Sequence, residues 1–590
     1  MVDIDFASAP PPTAVGGLLA VPIHIQDLRA TVLLDAASLT AVADATMTYA
    51  VGPTAGNPVF DLRQTVDRCW LDGVRIDPAL ISARDVGAGP FSTVRVLDVV
   101  QPTGSVHRLR VKYRLNLPRA QLGGAYPPAL QWSQGPRLRW SFGMSDLNAG
   151  RYLESWFPSN LPSDRFPFTL DVQIAETPIA HALITNGAIT TADTNAWSVQ
   201  FPPWFTTVSP LLEIRASDTV EMASDRVALP ASGKTITVEA WKLVGSSVDL
   251  WSRLAQIDTL LSDNETHYGD FLGDRFVCFF HGAPGGMEYN QATTTSEAAV
   301  SHETFHLWFA RGVTPASQAD GWWDEGFTRL HDDGADEVEP FDFREPPVEL
   351  CSRQPFQRRT AANAYLDGSR FFRGIAAAIG SDRLRTVMRE VYETHRGRPL
   401  STATLEADII AHTGDATLVD AFHRFVYGFA DPSPNPRLWM KHAPGHSHAD
   451  QRNEPFGDSP DLWVRTSNDG GTVHQPPERG RENWFYARVR NDESGGACRH
   501  FVVTFSVKEF TGTHFTYPGD FLPGASAIAA FDLPPRQTRV VSALWPRHLV
   551  PRPGTRTCVL ASVHARGCHP SPGTHVWEQQ LLAQKNVFVV

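Results

Sequence analysis

The chain has 590 residues, 42% hydrophobic and 20% charged, with 52 Lys+Arg against 64 Asp+Glu and a net charge of −12. That composition rules out a mainly disordered chain, and the acidic balance argues against a chain built to neutralise phosphate backbones, which needs a basic footprint. At roughly 100–200 residues per domain the length allows about three or four domains, each with its own core.

Residues 1–12 contain Asp3 and Asp5, and no Lys or Arg precedes Arg29. The apolar stretch 14–23 therefore lacks the basic flank of a signal peptide, and no apolar run reaches the roughly 18–20 residues of a membrane helix. The expectation is a soluble, cytoplasmic protein with no membrane and no nucleic-acid partner. From residue 21 to 223 the apolar pattern is short and alternating, as in 30–35 and 106–113, and is broken by Gly, Pro and Asn186-Gly187. This reads as an all-β domain over 1–226. Between 227 and 430 apolar residues recur every three or four positions, in 296–310, 363–379 and 383–394, which predicts a helical domain with strands at its start. A proline-rich linker at 431–460 follows. Alternation returns in 484–490 and 501–507, predicting an Ig-like β-sandwich over 461–590. The fold class is multidomain α+β.

Six cysteines are too sparse for a disulfide scaffold and none form Cys-x-x-Cys, so buried free thiols are expected. Any metal site must then use His and carboxylates. The informative segment is Ser301-His-Glu-Thr-Phe-His306. On a helix, His302 and His306 are four apart and project from one face, where both imidazoles reach one cation at about 2.0–2.1 Å. Thr294 with Glu297 reads as a capping box for this helix and Gly312 as its stop. Glu303 lies beside the first His, placed to reach water rather than metal. A catalytic zinc needs a third protein ligand, and Glu325 suits it by spacing, since 325 − 306 = 19 leaves room for a loop and a returning helix. By chance, His-acid-x-x-His arises about 0.08 times in this composition, and about 0.009 times with the third acid added.

These motifs resemble the gluzincin metallopeptidases, and among them the zinc aminopeptidases of the aminopeptidase N family. That family has His-Glu-x-x-His, an 18-residue gap and an Asn-Glu-Gly-Phe segment, here Asp324-Glu-Gly-Phe327 with Asp324 in place of Asn. Its Gly-Ala-Met-Glu-Asn motif is matched by Gly285-Gly-Met-Glu-Tyr-Asn290, with Tyr289 at the Asn position and a short interval, 302 − 288 = 14, to the first His. The resemblance implies an N-terminal β saddle, a thermolysin-like, mostly helical catalytic domain, and one catalytic Zn2+. It also implies that Glu288 binds the free amine of a peptide, with Gly285, Gly286 and Met287 along the substrate. Tyr365, in Tyr365-Leu-Asp-Gly368, corresponds to the family's oxyanion donor, with Tyr392 as the reserve candidate. Glu303 is the implied general base. The glycyl aminopeptidase family is similar in its Gly-Gly-x-Glu and His-Glu-x-x-His-x-Trp stretches, matched by His306-Leu-Trp308.

Other signals are set aside. Ser232-Gly-Lys-Thr235 lacks the first Gly of a phosphate loop and precedes a strand-like stretch. His442, His446 and His448 read as a solvated tract of the linker. Asp332, Asp333, Asp336 and Glu337 read as a solvated acidic loop without EF-hand spacing. Trp463, Trp484, Phe485 and Tyr486 read as sandwich core. The predicted function is a zinc aminopeptidase; the rivals are a zinc endopeptidase or hydrolase of modified peptides, and a binding protein with a vestigial zinc site.

Overall fold

The computed structural model describes residue 6 and residues 8–590, other than 90, 125, 134–135, 161–163, 335–337, 431–433, 449–455, 511, 513 and 522–523. Asp3, Asp5, Asp336, Glu337 and parts of the 431–460 stretch lie outside the described residues. The chain forms two compact units. The first comprises Met1–Gly334, Ser352–Ser369 and Tyr392–Leu400; the second comprises Ala335–Cys351, Arg370–Val391 and Ser401–Val590.

In the first unit an eight-stranded sheet is centred on Ile23–Asp35, Thr40–Val51 and Val106–Arg114. Alternation builds it: Leu28, Ala30, Val32 and Leu34 are buried while Arg29, Thr31 and Leu33 between them face water. Phe168–Ala175 joins it in parallel beside Ile23–Asp35. A four-stranded sheet that includes Arg137–Ser141 and Leu212–Ala216 adds Trp140 and Ile214 to the same core. That core continues into the sheet that carries the site, through Val277, Phe279, Met287, Tyr289 and Ala292.

This third sheet runs Val220–Ala228, Thr235–Leu243, Arg275–Phe280, Ala292–Thr295, Gly286–Tyr289. Its two middle pairings are parallel, and helix α1 (Leu250–Tyr268) makes the first crossover. Asp249 caps α1 by accepting from the Trp251 and Ser252 amides. Four further helices follow along the chain: α2 (Val300–Phe305), α3 (Trp322–Asp333), α4 (Ala364–Ile379) and α5 (Ser381–His395), of which residues 370–391 belong to the second unit. Thr235 begins a strand, and the Ser232 hydroxyl before it donates to Glu265 at 2.7 Å.

Helix α2 is shorter than the 296–310 periodicity predicts, and its N-cap, Ala299, gives no side-chain hydrogen bond. The capping box is absent because Thr294 is in the strand Ala292–Thr295, while Glu297 pairs with Arg253 at 3.1 Å. Asp332 and Asp333 belong to α3 rather than to a loop.

The second unit contains α6 (Thr402–Thr413), capped by the Ser401 hydroxyl and ended by left-handed Gly414, and α7 (Leu418–Phe425). Two four-stranded sheets, one built on Asn483–Asn491 and the other on Cys498–Lys508, share a core that includes Phe485, Val489, Phe501, Val503 and Val559. Leu438–Trp439 is a strand of the first of these sheets. His442 is buried instead of solvated, with Nε2 at 3.1 Å from the Gln579 carbonyl and 3.0 Å from that of Leu582. All six cysteines are free thiols and five are buried. Among the described residues no helix is long and apolar enough to cross a membrane.

Candidate metal centre

Helix α2 presents His302 and His306 one turn apart, and α3 returns Glu325 in its first turn. The two Nε2 atoms are 3.1 Å apart, and Glu325 Oε2 lies 3.4 Å from His302 Nε2 and 3.3 Å from His306 Nε2. Ligands about 2.0–2.1 Å from a tetrahedral zinc are separated by about 3.3–3.4 Å, so these three atoms already stand near the spacing of a coordination shell. Glu325 Oε2 is buried and has no hydrogen-bond partner, an orphan that a cation would satisfy. The chemistry and placement of the donor set fit a zinc ion.

The remaining ring nitrogens are occupied, which fixes the orientation of both imidazoles. His302 Nδ1 lies 2.6 Å from Asp332 Oδ2. His306 Nδ1 lies 3.0 Å from the Phe309 carbonyl and 3.2 Å from the Thr328 hydroxyl. Burial disfavours the charged form of His302, but the hydrogen bond to Asp332 and the facing Glu325 carboxylate outweigh it and raise the imidazole to about 11. His306 is raised as well, against burial, by the Glu288 and Glu325 carboxylates. Burial works against ionised Glu325 too, yet the two imidazoles that face it at 3.3–3.4 Å hold it well below the ordinary carboxylate range. The pocket thus favours positive charge at the point where the three donors meet.

Glu303 is 5% exposed, and its Oε2 has no hydrogen-bond partner. Burial, opposed by His302 and reinforced by Glu288 and Glu325, pushes its carboxyl well above the usual range. Gly286 makes room for it: a Cβ there would stand 2.5 Å from Glu303 Oε1. Gly285 precedes it at φ +80°, in the left-handed region that favours glycine. Tyr365, in the first turn of α4, donates to Glu325 Oε1 at 2.6 Å and stacks on the His302 ring. Tyr392 is elsewhere, its hydroxyl donating to the Asp270 carbonyl. Met287 is packed into the hydrophobic core.

Glu288, on the edge strand Gly286–Tyr289, accepts from Arg311 at 2.8 Å. Around it the structure gathers Asp146 and Asp324, and one carboxylate oxygen from each of the three lies within 4.8 Å of the others. Burial, then the neighbouring carboxylates, push Asp146 and Asp324 well above the ordinary range, with Arg311 opposing. Sequence reasoning missed Asp146, which stands 288 − 146 = 142 positions before Glu288 with no motif of its own. It also missed Asp332, although 332 − 325 = 7 is two helical turns and therefore the Glu325 face of α3.

The sequence matches no protein-family profile and no curated protein. Solved structures are similar in fold. An M1 zinc metallopeptidase variant from Deinococcus radiodurans, bound to a Tyr-Ser-Ala substrate, aligns with TM-score 0.52 and 18% identity over 72% of this chain and 98% of its own. A two-domain M1 zinc metallopeptidase variant bound to L-tryptophan aligns with TM-score 0.51 and 18% identity over 73% and 99%. Legionella pneumophila aminopeptidase A, in complex with aspartic acid, aligns with TM-score 0.50 and 11% identity over 89% of this chain and 58% of its own. The chain therefore has the fold of the M1 zinc metallopeptidases.

Proposed function

We propose that the protein is a zinc-dependent aminopeptidase acting on peptides with a free N-terminus. The observation that carries this reading is the convergence of His302, His306 and Glu325 on one point, with the unpartnered carboxyl oxygen of Glu303 nearby. The neighbours of like fold, crystallised with a small peptide or single amino acids, support peptides as the substrate class.

A zinc ion held by the three ligands supplies Lewis acidity and acidifies water. Glu303 takes the proton from the attacking water and returns it to the leaving amine, a role for which its raised proton affinity equips it. Tyr365, whose hydroxyl donates to Glu325 Oε1, is the donor for the carbonyl oxygen as that oxygen gains charge, the O–H then leaving Glu325. Glu288, with Asp146 and Asp324 beside it, forms a buried carboxyl-rich end that recognises the cationic α-amine, with Arg311 orienting Glu288. The strand Gly286–Tyr289 ends its sheet, and its outer side is where an extended substrate would pair.

The test is release of amino acids from free and N-acetylated peptides by the wild type and Glu303→Gln, with zinc measured in both. The expected result is trimming of free N-termini alone, and a fall in kcat of about 10²–10⁴-fold in a zinc-loaded mutant. Cleavage of acetylated peptides would move the endopeptidase reading to first place. No cleavage by zinc-loaded wild type would favour the binding protein.

A further inference from the structure

Helices α3 and α4 meet with no side chain between them, at Gly326 and Gly368. A Cβ on Gly326 would stand 2.7 Å from both the Cα and the carbonyl carbon of Gly368. One on Gly368 would stand 2.9 Å from the Gly326 Cα and 3.1 Å from the Trp322 carbonyl oxygen. The obstacles are backbone atoms, which no rotamer change can move aside. Neither glycine has a positive φ, and within a helix alanine is the better former. Close approach is thus what calls for glycine here. Gly374, farther along α4, would meet nothing within 4 Å.

The crossing adjoins the metal centre. Gly326 follows Glu325 directly, and Gly368 lies 368 − 365 = 3 positions after Tyr365, one turn along the same face. Next to it the Tyr365 hydroxyl donates to Glu325 Oε1 at 2.6 Å, and the Tyr365 ring stacks on His302 at 6.0 Å and 18°. With Oε1 engaged, Oε2 is the unpartnered oxygen that faces both imidazoles.

We propose that Gly326 and Gly368 are positioning residues: their contact sets the distance at which Tyr365 grips Glu325, and so fixes which carboxylate oxygen is offered to the cation. The kinetic part of this inference rests on the aminopeptidase reading; the metal-binding part does not.

The experiment uses the full chain as wild type, Tyr365→Phe, Gly326→Ala, Gly368→Ala, the Tyr365→Phe/Gly368→Ala double variant and Gly374→Ala. Zinc affinity is read by competition with a chromogenic chelator, and kcat and KM are read separately on a tripeptide with a free N-terminus. Loss of a partner that orients a ligand weakens metal binding by about 10–100-fold. Tyr365→Phe, Gly326→Ala and Gly368→Ala should each weaken zinc binding by about tenfold or more, and should lower kcat more than they change KM. The double variant should be no worse than the poorer single variant, because all act through one hydrogen bond. Gly374→Ala should match wild type. Multiplying effects in the double variant, or zinc affinity in both alanine variants close to wild type, overturn the proposal. Where the alanine variants do not fold, Tyr365→Phe decides alone, because it leaves the crossing intact and unchanged zinc affinity refutes the grip. Zinc binding in the expected pattern without peptide cleavage overturns the aminopeptidase reading and leaves the crossing's role standing.

Discussion

At the scale of single residues the centre is a contest between a proton and a metal. His302 holds its proton firmly because Asp332 and Glu325 flank it, so zinc must displace that proton to bind. The apparent zinc affinity should therefore strengthen as pH rises through the neutral range, and chelator competition at pH 6, 7 and 8 measures it. Asp332→Asn tests the partner directly. It keeps a hydrogen-bonding side chain but removes the charge, and should weaken zinc binding by about 10–100-fold, with the pH dependence reduced because the competing proton is held less tightly. An unchanged affinity would show that Glu325 alone orients the ring. Much at this scale was legible in the sequence. The four-residue His spacing and the third acid follow from helix geometry, and the structure brings all three together. Asp146 could not be found that way, since a contact across 142 positions is made by the fold rather than by a helical repeat.

At the scale of elements, local periodicity predicted the existence of helices better than their ends. The apolar run at 296–310 is only partly helix because Trp308, Phe309 and Ala310 are fully buried and turn toward Val313, whose carbonyl accepts the Ala310 amide. Tertiary packing there overrides the helical pattern. The pairing of α6 with its sheet was not legible at all. Glu406 on α6 and His500 on the strand Cys498–Lys508 are both fully buried, 3.6 Å apart. The distance suggests an ion pair, yet burial pushes Glu406 well above the carboxylate range and His500 well below the imidazole range. Burial thus favours a neutral acid against a neutral ring, with Tyr427 stacked on the latter at 3.9 Å. The two groups act in opposite senses on stability. The Glu406 contribution is intact below its unfolded value near 4.5 and is lost as pH rises toward its folded-state pKa. That of His500 is intact above 6.5 and is lost as pH falls. Glu406→Gln removes only the first. Its stability relative to wild type should grow by about 1.4 kcal/mol per pH unit from pH 5 upward until the folded-state pKa is passed. Urea denaturation of both proteins at several pH values measures the difference, and a constant gap across pH 5–8 would falsify the neutral pairing.

At the scale of the molecule, the all-β N-terminal stretch belongs to the same compact unit as His302, His306 and Glu325 and reaches the candidate site. It contributes Asp146, and it holds the segment that leads to Tyr365. Arg358 pairs with buried Asp61 at 2.8 Å, Tyr152 donates to the Arg358 carbonyl, and the Thr360 amide donates to that of Asp146. Phe356 packs with Ala20, Val59, Val94 and Val96. Composition and alternation predicted a β region here, but nothing in them told that it would reach the candidate metal centre. On the proposed function, the edge strand Gly286–Tyr289 has a consequence for how much of a peptide would be read. Four residues of strand run about 13 Å, so backbone pairing ends after the first few positions of a peptide. With a common N-terminal sequence, kcat/KM should rise from dipeptide to about tetrapeptide and then level off, which a series of two to ten residues would reveal; a continued rise would show further contacts beyond the strand. On the aminopeptidase reading, a ruler this short would leave the protein indifferent to whatever the rest of the chain says, so that every peptide it shortened would present itself again as a new substrate.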